Sequence, residues 1–110
     1  MIHDEQKIKQ AENSLQDKNT FIKLASLFKA LGEINRIRIV KILSHGEFCA
    51  GDIAKIMNVD RSALSHQLKI LTFHGVISSR KNGIYKCYKL TSSCFPELLN
   101  MAERYLSDCK

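Results

Sequence analysis

The 110-residue sequence predicts one mainly α-helical domain of about five to six helices with a single β-hairpin. Three observations lead to this fold class. Apolar residues recur at helical spacing through most of the chain, and two of these segments flank a short polar turn at 58–60. After His74-Gly75 the spacing changes to the alternation typical of strands. The dipeptide Asn82-Gly83 lies between the two strand-like segments and is a strong hairpin signal.

Three helices are predicted in the first half of the chain. Residues 4–18 carry a narrow apolar stripe that needs another surface to cover it: Ile8, Ala11 and Leu15. Asn19-Thr20 is expected to break this helix and to cap the next one, over 21–31, which Gly32 ends. Residues 34–43 predict a buried helix, although their β-branched content leaves a strand open.

Two further helices around the turn at 58–60 predict a helix-turn-helix. The first is short, with its apolar face at 53–57. Asp60 is placed to cap the second, which covers 61–73 and has an apolar side formed by Leu64, Leu68 and Leu71.

Beyond the helix-turn-helix, residues 76–80 and 84–90 predict the two strands of a basic hairpin, with 80–83 as its tip. Residues 95–106 predict a last amphipathic helix, with Pro96 in the first turn. A helix-turn-helix followed by a β-hairpin is the order of a winged helix-turn-helix, in which the hairpin is the wing. We expect residues 1–110 to form one such domain.

The net charge of +6 is concentrated in one third of the chain. Residues 61–90 contain no aspartate or glutamate, and basic and acidic residues balance in the rest. The basic residues of this window are Arg61, Lys69, Arg80, Lys81, Lys86 and Lys89. Positive charge confined to a helix-turn-helix and its hairpin predicts a polyanion partner, and duplex DNA in particular. The alternative is a solvated charged surface.

The polar side of the helix over 61–73 carries side chains of suitable length for base edges in a major groove. The residues predicted to read bases are Arg61, Ser62, Ser65 and His66. The residues predicted to contact phosphates are Lys69, Arg80, Lys81 and Lys86. His66 is therefore assigned to DNA rather than to a metal.

Between about Phe21 and Leu90, the chain resembles the ArsR/SmtB-type winged-helix repressors. The similar segments are 28–32 with 35–39 (FKALG and NRIRI), 47–53 (EFCAGDI), 65–71 (SHQLKIL) and the wing over 75–90. The match at 65–71, to the recognition helix of that family, is the most specific.

This resemblance implies a homodimer on an inverted-repeat operator, with the helices over 4–18 and 95–107 forming the dimer. It also implies an inducer, usually a metal ion or a thiol-reactive species, that weakens DNA binding. The best-known members place two cysteines in the segment matching 47–53 and further cysteines on an N-terminal arm. This chain keeps Cys49, has Gly51 at the second position, and has no cysteine in residues 1–48.

Other members hold zinc between the antiparallel last helices of the dimer, through Asp, His and Glu. That pattern is absent here, but Cys94 lies near the start of the last helix, and Asp108 and Cys109 lie near its end. We hypothesise that Cys94 of one chain approaches Cys109 and Asp108 of the other. Such a pair could bind Zn(II), Cd(II) or As(III), or close a disulfide. Cys49 is the fourth candidate for metal or thiol sensing.

The remaining expectations concern compartment and class. With no apolar stretch of ~20 residues and no secretion signal, we expect a cytoplasmic protein without a membrane partner, whose cysteines are reduced. Cys87 is expected to be a packing residue. No nucleotide-loop, nucleophile-elbow or metalloprotease motif is present, so we expect no enzyme. The alternatives left open are a winged-helix regulator without an effector and a winged helix that binds proteins.

Overall fold

The computed structural model describes residues 4–108 and has six helices and three strands over that range. The elements in chain order are α1 (Glu5–Asn13), α2 (Lys18–Leu31), α3 (Ile34–Leu43), β1 (Phe48–Cys49), α4 (Ala50–Met57), α5 (Arg61–Phe73), β2 (Ile77–Asn82), β3 (Tyr85–Leu90) and α6 (Cys94–Asp108). The predicted fold class, six helices with a β-hairpin in winged helix-turn-helix order, is confirmed.

The core lies where α3, α4 and α5 meet the base of the hairpin. Its most deeply buried side chains are Ile39, Ile53, Leu64, Leu71, Ile77, Val40 and Val76. The predicted apolar side of α5 is thus buried, and the strand alternative for 34–43 is wrong. In the described part of the chain, no helix is long and apolar enough to cross a membrane.

The first two helices differ from the prediction at their shared boundary. Helix α1 ends at Asn13, and α2 begins at Lys18 with Asp17 as its N-cap, not at Asn19-Thr20. The Asp17 carboxylate accepts bonds from both the Thr20 hydroxyl (2.6 Å) and the Thr20 backbone N–H (3.2 Å). These bonds lower the pKa of Asp17, the hydroxyl bond contributing most. Because the Asp17 carboxylate caps the helix, α2 begins at Lys18, three residues before the predicted start at Phe21.

The turn of the helix-turn-helix is as predicted. Asn58 ends α4 in the left-handed conformation, with φ 56°, which asparagine tolerates better than most residues. Asp60 then caps α5. Together these residues redirect the chain between the two helices.

The sheet differs from the predicted hairpin in two ways. Asn82 pairs with Tyr85, so the loop is Gly83-Ile84 and lies one residue later than expected. Gly83 has φ 66°, while Ile84 is not in the positive-φ region, and a turn of this kind needs glycine at its first position only. The short strand β1 also pairs with β3, giving the order β1-β3-β2. A two-residue strand is too short to show a period in the sequence.

Candidate nucleic-acid interface

Helix α5 presents opposite chemical surfaces to the core and to solvent. Leu64, Leu68 and Leu71 are buried. The residues predicted to face DNA on this helix are all exposed: Arg61, Ser62, Ser65, His66 and Lys69. The helical period places both sets as predicted, so a row of polar side chains is available along one side of α5.

Asp60 fixes the start of α5 and also restricts Ser62. Its carboxylate accepts a bond from the Ala63 backbone N–H (2.8 Å) and one from the Ser62 hydroxyl (3.0 Å). These bonds, the Ala63 bond most, lower the pKa of Asp60. Because the Ser62 hydroxyl donates its proton to Asp60, its oxygen is left to accept a hydrogen bond from another group. Ser62 is thus arranged to receive a hydrogen bond rather than to give one.

Arg36 of α3 connects the C-terminal end of α2 to α5. Its guanidinium donates to the backbone oxygen of Ala30, to that of Lys29 (3.4 Å), and to the side-chain oxygen of Gln67 (2.9 Å). Gln67 lies between the predicted base-reading residues and the buried side of α5. Arg36 therefore holds α5 against the end of α2. Sequence reasoning assigned it no role, although it lies in the NRIRI segment that carries the family resemblance.

An open cleft of about 410 Å³ separates α5 from the wing. Its polar lining comes from both sides, with Arg61, Ser65 and Lys69 on α5 and Lys86 on β3. The Lys86 ammonium lies 5.9 Å from the centre of the Tyr88 ring, which supports it by a cation–π contact. The cleft thus has basic walls and an apolar floor that includes Leu64 and Leu68.

Two lysines face each other across the wing. Lys81 and Lys86 are register partners on β2 and β3. Both are exposed, and among the described residues neither forms an ion pair. Like charges directly opposite one another destabilise a hairpin. A polyanion bound beside the wing would remove that repulsion.

Arg80 is not at the tip of the wing, as the sequence had indicated. It pairs with Cys87, three pairs below the loop, because β2 extends to Asn82. Its guanidinium forms an ion pair with Glu47 (2.5 Å), in the segment just before β1. To contact a phosphate, Arg80 would have to leave Glu47.

The cysteines are arranged differently from the expectation. A disulfide joins Cys49 to Cys87, so the expectation that both are reduced thiols is wrong for this pair. Cys87 is buried, as expected of a packing residue. The disulfide forms because the β1–β3 pairing places Cys49 and Cys87 directly opposite one another. The sequence did not reveal this pairing.

Helix α6 separates the other sensing candidates. Cys94 is exposed at its start and Asp108 is exposed at its end. Fourteen residues of helix put them about 20 Å apart within one chain, so only a second chain could bring them together. Cys109 lies outside the described residues. Over 4–108, no three His, Cys, Asp or Glu side chains are grouped to hold a metal ion.

Comparison with known proteins identifies the family. Residues 34–79 match the model of bacterial regulatory proteins of the arsR family. A transcriptional repressor SmtB homolog of Synechocystis is 31% identical over 93 residues, covering 84% of this chain and 70% of that protein. A cadmium resistance transcriptional regulatory protein CadC homolog of Staphylococcus aureus is 32% identical over 102 residues, covering 92% and 83%.

A solved structure supports the same conclusion. The crystal structure of Rv0081 of Mycobacterium tuberculosis has a TM-score of 0.74 and 29% sequence identity, over 81% of this chain and 90% of that one. The exposed polar side of α5, the basic wing and these relatives agree with one another. The chain belongs to the ArsR/SmtB family of DNA-binding, winged helix-turn-helix transcriptional repressors and is not an enzyme.

Proposed function

We propose that this repressor reads an operator in duplex DNA by placing α5 in the major groove, with the wing on the adjacent backbone. The observation that carries the proposal is the exposed polar side of α5 beside a wing with opposed lysines. Base reading is assigned to Arg61, Ser62, Ser65 and His66. Phosphate contacts are assigned to Lys69, Lys81, Lys86 and, once it leaves Glu47, Arg80.

The repressor acts as a homodimer on an inverted repeat. Neither α1 nor α6 has a buried residue in the isolated chain. Along α6, Met101, Tyr105 and Leu106 are at least 60% exposed, and an open groove lies between α2 and α6. A second copy that packs on the helices over 4–18 and 95–107 would cover these apolar surfaces, and two-fold symmetry would present two α5 helices to two half-sites.

The inducer is a soft metal or metalloid ion, such as Zn(II), Cd(II) or As(III), or a thiol-reactive compound. Support comes from the sulfur chemistry of the chain and from a relative described as a cadmium resistance regulator. The candidate groups are Cys49, Cys94, Cys109 and Asp108. If α6 pairs antiparallel in the proposed dimer, the start of α6 with Cys94 lies near the end of the partner's α6 with Asp108, and Cys109, which lies outside the described residues, follows Asp108 in the sequence. The second candidate function is a winged-helix regulator with no effector.

A release assay separates these two functions. The purified protein selects its operator from random duplexes, and the complex is titrated with Zn(II), Cd(II), As(III), a persulfide donor and peroxide. We expect one soft ion or thiol-reactive compound to release the operator, and cysteine-to-serine variants at the responsible residues to abolish the release. If none of these compounds releases the operator, the effector-free regulator is correct.

Lys81→Ala tests the wing. We expect this variant to bind operator and random DNA more weakly by the same factor, because phosphates carry no sequence information. The dependence of log affinity on log salt should flatten by about 0.9 for each wing that loses a phosphate contact. Lys41→Ala is the control, because Lys41 pairs with Glu103 on the α3–α6 side (2.7 Å) and should leave that slope unchanged. A loss confined to the operator would contradict the wing assignment.

A further inference from the structure

Cys49 and Cys87 join the wing to the start of the helix-turn-helix. Cys49 is the last residue of β1 and the N-cap of α4, while Cys87 lies in the middle of β3, beside Lys86 and Tyr88. They are register partners on β1 and β3, and the disulfide joins them directly across this pair. Strand β1 makes only one other pair with β3, between Phe48 and Tyr88. The cysteine pair is therefore a major part of this connection.

The two sulfurs differ in access. Cys87 is only 4% exposed, whereas Cys49 is half-buried and lines an open cleft of about 430 Å³ beside the wing tip. Charged side chains of both signs line the same cleft: Asp52, Arg61 and Lys86. A small electrophile can therefore reach Cys49 before Cys87.

We propose that Cys49 and Cys87 form a reversible redox switch whose oxidant is a peroxide. The Cys49 thiolate attacks one peroxide oxygen, breaking the O–O bond and giving a sulfenic acid and hydroxide. The Cys87 thiol then attacks that sulfur, the S–O bond breaks, and the hydroxyl group leaves as water. In sum, two thiols and one peroxide give one disulfide and two waters, with two electrons passing from sulfur to oxygen. A dithiol reductant reverses the reaction by exchange.

The switch acts on DNA through Arg80. Cys49, Cys87 and Arg80 lie side by side across β1, β3 and β2, and Glu47 lies two residues before Cys49. The disulfide therefore holds the segment that carries Glu47 against the strands that carry Arg80. Oxidised protein keeps Arg80 on Glu47 and fixes the wing, while reduced protein lets the two separate and lets Arg80 reach a phosphate. Oxidation thus lowers affinity for DNA. This inference rests on the proposed function.

The test compares reduced and peroxide-treated full-length dimer in a Cys94→Ser, Cys109→Ser background, so that only the pair can react. Intact mass shows loss of two hydrogens, and fluorescence anisotropy gives operator affinity. We expect oxidised protein to bind at least about tenfold more weakly, as for a lost charge-assisted contact. Its salt slope should also be flatter, by about 0.9 for each lost phosphate contact. Dithiothreitol should restore both. The same background with Cys49→Ser should not respond to peroxide.

The outcomes separate the two proposals. If the oxidised and reduced forms bind the operator equally, or if peroxide leaves the pair as thiols, the switch is wrong while operator recognition stands. If the reduced protein selects no duplex at all, the proposed function fails. The comparison of redox forms needs no substitution at buried Cys87, so a folding defect cannot decide it. A Glu47→Gln variant adds a second readout, since it should bind more tightly and lose most of its response to oxidation.

Discussion

Replacement of Ser65 and His66 by alanine should abolish most of the preference for the operator while leaving binding to random DNA nearly unchanged. Both residues are exposed on the side of α5 opposite Leu64, Leu68 and Leu71, so their removal leaves the core intact. Each lost base contact should cost about 1–3 kcal/mol on the operator. The measurement is the ratio of operator affinity to random-duplex affinity at fixed salt.

The matched control is Ser44→Ala with His45→Ala. This pair has the same residue types in the same order but lies at the end of α3, where the Ser44 hydroxyl donates to the Lys41 backbone oxygen. We expect the control to keep the specificity ratio of the unmodified protein. An equal loss of operator and random-DNA binding in the Ser65 and His66 variant would show that these residues do not read bases.

Arg36→Ala should produce the second large effect, on both stability and DNA affinity. The guanidinium binds the C-terminal end of α2 through the oxygens of Ala30 and Lys29, and binds α5 through Gln67. Its removal leaves acceptors unsatisfied near the core, at a cost of about 1–3 kcal/mol in the free energy of unfolding. Since Gln67 loses its partner, α5 should also be held less firmly and bind the operator more weakly.

Arg38→Ala is the matched control for Arg36. Arg38 lies on the same helix but is exposed, and its bonds to Asn35 (3.3 Å) and to the Met57 backbone oxygen (3.5 Å) are long. We expect its free energy of unfolding to change by less than about 0.5 kcal/mol. Urea unfolding of both variants gives the comparison. If Arg36→Ala were as stable as the control, its network would have no positioning role.

The features set by local sequence could be predicted. The 3.6-residue period of Leu64, Leu68 and Leu71 determines which side of α5 is buried, and therefore which residues are exposed. Asp60 and Asn58 act within their own helix ends, so the turn between α4 and α5 could also be inferred. The position of the hairpin was predicted correctly. Its loop lies one residue later in the structure than predicted, because the strand-like alternation of residues is regular on either side of Gly83.

The features that depend on distant residues could not be predicted. The Cys49–Cys87 pair joins positions 38 residues apart through a strand of two residues, which leaves no periodic signal. The ion pair of Arg80 with Glu47 and the bond of Arg36 to Gln67 likewise arise only when separate elements pack together. Each of them changes the interpretation of a residue that the sequence presents as an ordinary charge or thiol.

The most direct test of the central claim is the affinity of the unmodified protein for its selected operator and for random duplex, each measured across a salt series. The account predicts that both affinities fall steeply as salt rises, because Lys69, Lys81 and Lys86 displace counterions from phosphates. It also predicts that the operator is bound at least about a thousandfold more tightly at physiological salt. Weak binding that does not depend on salt and shows no preference for the operator would contradict DNA recognition by α5, and would indicate a winged helix that binds proteins.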